Sequence, residues 1–175
     1  MTVSYDRLPV YSACSSVFTP GATPQDVFTI TGSATNNILV LRMGITTFQT
    51  TAGLNGWRIT KRSTANTGGT SSARTNIPWV STQPAPTATV LQYTANPTAG
   101  TLVGDLFIFS LQSPDITGGN AGVPSLEGFN FETLTGNPIA LLSVNEVLAF
   151  NFNGAALPAG LSISAFVQWA ESPKT

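Results

Sequence analysis

The residue types that most often do chemistry are scarce in this chain of 175 residues, and their spacing argues against an active site. There is no His, so the usual nucleophilic triad, the usual general base and the commonest transition-metal ligand are all missing. Cys14 is the only cysteine. It can form neither an intrachain disulfide nor a thiolate cluster, and it reads as a small apolar side chain. Carboxylate-pair chemistry needs two acids converging across a cleft. Glu127 and Glu132, the nearest pair, sit on one β segment at a spacing that sends them to opposite faces. Asp105, Asp115 and Glu146 would meet only if the fold brought their segments together. Asp115-Ile116-Thr117-Gly118-Gly119-Asn120 has the flavour of a calcium loop but lacks a calcium site's repeated acids. No catalytic set, cofactor or metal is expected.

Basic residues are more concentrated. Arg58, Lys61, Arg62 and Arg74 are four of the seven in the chain and fall in one stretch, NGWRITKRSTANTGGTSSARTN at 55–76. A strand running into a Ser/Thr/Asn/Gly loop suggests a scaffold that presents a surface. The charges would either guard a sheet edge against foreign pairing or dock on an acidic partner. Nucleic acid is not the expected partner: net charge is −1, and the interleaved aromatics of a single-strand platform are absent apart from Trp57. Trp57, Trp79, Tyr93 and Trp169 are candidates for stacking on glycans, but core or loop-anchoring roles suit each of them better.

The elements that must carry these residues are strands. Hydrophobic residues make up 42% of the chain, enough for one core, yet charged residues are only 9%, far below the roughly 25% usual in soluble domains. The polar surface is therefore Thr, Ser, Asn, Gln and Gly. That is either an ordinary exposed β face or a surface largely covered by other subunits, where long charged side chains are disfavoured. Residues 1–74 hold six basic and two acidic residues, and 75–175 hold one basic and six acidic, a weak hint of complementary contact between subunits. No signal peptide and no apolar run of bilayer-spanning length is present.

Read in order, residues 1–25 form an extended N-terminal arm interrupted by Pro9, Pro20 and Pro24. It is too apolar for a free tail, so it either packs along its own body or embraces a neighbouring subunit. Residues 26–175 form a single β-sandwich domain. Strands are expected at 27–31; at 38–48, with Leu39, Leu41, Met43 and Ile45 on one face and a bend at Gly44; and at 57–62, with Trp57 and Ile59 inward and Arg58, Thr60 and Arg62 outward. Residues 77–88 are extended and proline-bound, plugged onto the body by Trp79. Further strands fall at 88–94, 102–111, 126–134, 139–144, 146–152 and 161–169. The 102–111 segment is apolar on both faces and is expected at the centre of a sheet. Leu148, Phe150 and Phe152 share one face. So do Leu161, Ile163, Ala165, Val167 and Trp169. With no convincing helix, the expected class is all-β, an antiparallel β-sandwich and most simply a jelly roll.

Four stretches carry a family resemblance: DVFTITGSATNNILVLRM (26–43), KRSTANTGGTSSARTNIP (61–78), QYTANPTAGTLVGDLFI (92–108) and VLAFNFNGAALPAGLSISAFVQWAE (147–171). Together they resemble small β-rich virion proteins of tailed bacteriophages, variously structural, decoration or minor capsid proteins. The resemblance implies a non-enzymatic subunit made in the host cytoplasm and located on the phage head. It would be a cement protein bound over the major capsid protein, and a homo-oligomer with a trimer among its possible forms. Neither nucleic acid nor membrane would be a partner. The expected contacts are Tyr5, Leu8 and Tyr11 on the arm, and Arg58, Arg62 and Arg74 on the basic surface. A fibre or tail-tip module binding host glycans is the alternative, and a cell-wall polysaccharide hydrolase a more distant one.

Overall fold

A computed structural model describes residues 8–21, 25–48, 53–113, 127–132, 137–153 and 160–174. Among them there is no helix, and the strands form two antiparallel sheets packed face to face, a β-sandwich. The strands are β1 (Val10–Cys14), β2 (Gln25–Thr31), β3 (Asn36–Phe48), β4 (Gly53–Arg62), β5 (Thr70–Ala73), β6 (Ile77–Pro78), β7 (Thr89–Ala95), β8 (Leu102–Ser113), β9 (Glu127–Glu132), β10 (Ile139–Leu141), β11 (Val147–Phe152) and β12 (Ser162–Pro173). One sheet runs β10-β3-β12-β1-β6, with β9 also on β3; the other runs β5-β7-β2-β11-β4-β8.

The pairing is nested. β1 lies against β12, β2 against β11, β3 against β10 and β9, and β4 against β8. Strands close to the two ends of the chain therefore meet, and each step inward pairs the next strands along. β5, β6 and β7 are additions that extend both sheets on one side.

Alternation in β12 follows from period-two chemistry, whereas in β11 Val147 and Ala149 on the other face are buried as well. Leu161, Ile163, Ala165, Val167 and Trp169 are all buried, as are Leu148, Phe150 and Phe152. Trp57 meets Phe152 edge-on, with ring centroids 5.0 Å apart, a favourable arrangement for a cross-strand pair.

Of the two readings of the 1–25 arm, its described part follows the first: β1 pairs with β12 on one side and β6 on the other, and Phe18 bridges to Ile163. Its prolines flank this strand without entering it, so they remove no ladder donor from it. Two expectations fail for identifiable reasons. In β3 the buried residues are Ile38 and Val40, then Met43 and Ile45. Leu41 is an extra residue in the register, since Trp169 faces Val40 while Gln168 faces Arg42. This bulge, and not Gly44, switches the inward phase and leaves Leu39 and Leu41 only half-buried. Gly44 serves another purpose. A Cβ there would come within 2.2 Å of the Phe166 ring, which needs that space and carries the Arg42 guanidinium over its face, 5.4 Å from the centroid.

The second failure is the larger. The expected central strand at 102–111 stands at the end of its sheet among the described residues: there β8 pairs with β4 alone. Its register skips Val103 and Leu106, and two extra residues on one strand break the alternation that a half-buried strand would show. An apolar run on both faces arises here from bulges, not from burial.

Candidate functional site

Each basic residue at 58–74 has a partner inside the chain. Arg62 is only 7% exposed and does not face solvent as expected. Its Nε and Nη2 donate to the two oxygens of Asp26 at 2.6 and 2.8 Å, and its Nη1 donates to the Gly100 carbonyl at 3.0 Å. Asp26 also accepts from Asn66 Nδ2 at 2.7 Å and Asn151 Nδ2 at 2.8 Å. Four donors on two oxygens fill the acceptor capacity of a carboxylate, so Asp26 has no lone pair left for a metal. Asn66 in turn accepts from the Gly100 N–H at 2.9 Å, and Thr67 bridges to Thr98. This knot ties the 63–69 loop and the 96–101 turn onto strands β2, β4 and β11. It is where the KRSTANTGGT and YTANPT stretches meet, and it is structural. Gly100 belongs there because a Cβ would lie 1.9 Å from the Thr64 carbonyl oxygen. Gly68 and Gly69 adopt φ of 65° and 72°, the left-handed region that glycine enters without strain.

Arg58 pairs with Asp105 at 3.1 Å and donates to Asn153 Oδ1. Thr60, buried and not outward as expected, donates to the other Asp105 oxygen at 2.7 Å. Lys61 reaches Glu146 at 3.3 Å and the Ala140 carbonyl at 2.9 Å. Arg74 Nε donates to the Cys14 carbonyl at 3.0 Å. Asp105 and Glu146 are thus each held by a cation and are not left facing one another as an acid–base pair. Cys14, expected as a small apolar side chain, is exposed.

Glu171, 1% exposed, is a second saturated carboxylate. It accepts from the Thr87 and Ala88 N–H groups, Thr87 Oγ1, Asn36 Nδ2 and Trp169 Nε1, all at 2.6–3.1 Å. Burial works to raise this carboxyl, but the donors from Thr87, Trp169 and Asn36 hold it below its ordinary range. The same balance operates at Glu146, where burial is outweighed by the Leu142 and Ser143 N–H groups and by Lys61. Glu171 lies at the wall of a groove of about 640 Å³ that Leu8, Tyr11, Thr82, Gln83 and Pro84 also line.

Tyr11, expected as an interface residue, is 1% exposed. Its ring packs 5.7 Å from Trp169, the residue opposite it across the β1–β12 ladder, and its hydroxyl donates to the Pro84 carbonyl at 2.9 Å. Leu8 is half-buried. Tyr5, the Asp115–Asn120 segment and the side chains of Glu127 and Glu132 lie outside what is described. Among the described residues, no group of three or more acids or Cys is placed to hold a metal ion, and no helix is long and apolar enough to cross a membrane. Comparison with known proteins finds no family model, no curated protein and no solved structure that matches this chain.

Several large apolar side chains are exposed. Trp57, Tyr93 and Trp169 are buried, but Trp79 is 60% exposed and is no plug. Its neighbours Ile77 and Val80 are exposed with it, beside β6 at one margin of the sandwich. Along β8, Leu102, Val103, Leu106, Phe107 and Ile108 are all more than two-fifths exposed. Sequence reading missed Asp26 and Glu171. The available signal was a lone acid inside an otherwise apolar strand of a chain that carries few charges.

Proposed function

We propose that this chain is a non-enzymatic structural subunit of a tailed-phage virion, a head decoration (cement) protein that binds over major capsid subunits and stabilises the shell. The observation that carries the reading is the exposed apolar surface at Ile77, Trp79 and Val80 on a body whose charges are few and mostly paired internally. A surface of that kind suits lasting burial against other subunits. The nested strand pairing supports reading the sandwich as a jelly roll, an architecture shared with viral capsid domains. Fold analogy assigns no role by itself, and the resemblance of four sequence stretches to phage virion proteins adds to it. The protein would act by mass action, because each contact bridging capsid subunits lowers the free energy of the assembled shell. The apolar margin replaces Tyr11 and Arg62 as the contact, since both of those are consumed by the fold.

The test is to mix purified protein with emptied, expanded heads that lack it. Saturable, stoichiometric binding that raises the heads' melting temperature is expected, and Trp79→Ser should weaken it about tenfold or more, as for a buried aromatic anchor. Absence of binding would remove the cement role. A second reading, a fibre or tail-tip module that binds host glycans, is favoured by the exposure of Trp79 close in the chain to the 82–84 wall of the groove. Binding to host cells and their surface glycans, with none to heads, would select it.

A further inference from the structure

A row of facing residues, Gln25, Phe152 and Trp57, crosses the inner face of one sheet from β2 through β11 to β4. Phe152 and Trp57 pack there in the core, and Gln25 takes a place in the row that suits an apolar side chain. It is 3% exposed, yet neither Oε1 nor Nε2 of its amide has a hydrogen-bond partner among the described residues. Gln92, the other glutamine buried among them, is tied down: its Oε1 accepts from the Ser16 N–H and hydroxyl at 3.1 and 3.0 Å. A buried amide left unpaired forfeits the hydration it has in the unfolded chain, and native cores leave few such groups.

Gly21 lies against this amide. A Cβ built there would come 3.3 Å from Gln25 Nε2, 3.4 Å from Gln25 Oε1 and 3.3 Å from Asn96 Oδ1. The two side-chain amides therefore converge on one point, with Nε2 and Oδ1 at most twice 3.3 Å apart, and they do not bond each other directly. Polar groups held in that range are bridged by water. Gly21 is not among the glycines with positive φ, so what it supplies is room and not backbone freedom.

We propose that Gln25, Gly21 and Asn96 form a binding site for one internal water molecule. The water accepts from Gln25 Nε2 and donates to Asn96 Oδ1, with Gln25 Oε1 as a second acceptor. Three polar partners are the usual complement of an ordered internal water. A cation would meet the Nε2 donor, and an anion would meet two oxygens; water, with two donors and two acceptors, matches the set. Asn96 is exposed, which gives the water a way in from solvent. The site is independent of any role on a virion.

Nuclear magnetic resonance of the isotope-labelled full chain tests it. Water-selective NOE and rotating-frame spectra should show a cross-peak between water and the Gln25 side-chain amide protons, with the sign of a molecule that tumbles with the protein. Gln25→Met assigns that peak by removing it. Gly21→Ser and Gly21→Ala both add a Cβ, and the serine hydroxyl reaches the amide and displaces the water. Because that hydroxyl replaces a bond the water already makes, the two variants should melt within about 3 °C of each other, the shift of a single net hydrogen bond in a chain of this size. No cross-peak in the parent, a cross-peak with the sign of bulk water, or one that persists in the serine variant would overturn the site. So would a serine variant melting well above the alanine variant, which would show that the amide had been dry.

Discussion

Asp26 and Glu171 show how a chain with so few charges uses them. Both are buried, both have every acceptor position filled, and each joins segments far apart in sequence. Asp26→Asn would leave the Arg62 guanidinium buried without a counter-charge, and breaking such a pair costs about 3–5 kcal/mol. Urea unfolding at neutral pH checks this; a loss of only about 1 kcal/mol, the scale of a surface pair, would show that the knot is not closed to water. Glu171 and Glu146 give the fold an acid limit. Both carboxyls hold their protons less tightly in the folded chain than at the ordinary value of 4.5. The unfolded chain therefore takes up protons first as pH falls. Their stabilisation is complete above the ordinary carboxylate range and is lost as pH drops through the lowered folded values. The melting temperature should accordingly be flat near neutrality and decline below about pH 4.5. Glu171→Gln should cost about 2–4 kcal/mol at pH 7, because its amide N–H₂ faces donors. It should also make the acid decline shallower, leaving the part due to Glu146.

Among the elements, β1 and β8 depart furthest from their local sequence. β1 is five residues between prolines, yet it lies between β12 and β6 and puts Tyr11 against Trp169. A chain beginning at Pro24 would leave Trp169 and the β12 ladder uncovered. It should lose the cooperative thermal transition and the near-ultraviolet circular dichroism of the full chain. A sharp transition within a few degrees of the parent would show β1 to be dispensable. β8 makes the opposite point. Its composition is that of a buried strand, and its position is an edge. Bulges at Val103 and Leu106 account for apolar residues on both faces.

For the molecule as a whole, the low charge content has an internal explanation before any external one. Arg58, Lys61, Arg62 and Arg74 all bond within the chain, so the basic stretch at 55–76 is a fastening and not a free patch. The apolar side chains beside β6 at Ile77, Trp79 and Val80 and along β8 are among the exposed ones. Trp79→Ser should impair binding to heads while leaving the fold intact, which a head-binding assay alongside thermal melts by circular dichroism would check.

The all-β class, the places of most strands and the inward faces of β11 and β12 were legible in the sequence. They rest on period-two alternation and on Gly, Pro and Asn turns, which act over a few residues. Tertiary structure alone decided the rest. The bulge at Leu41 is set by how β3 and β12 align, and no local propensity marks it. Whether an apolar strand is central or at an edge depends on which strands arrive beside it. Arg62 reads as a solvent-facing charge until Asp26, 36 residues away, closes over it, and Arg58 finds Asp105 across 47 residues. Pairings at that range carry no periodic signal, because what fixes them is the shared desolvation of two groups that meet only in the folded chain.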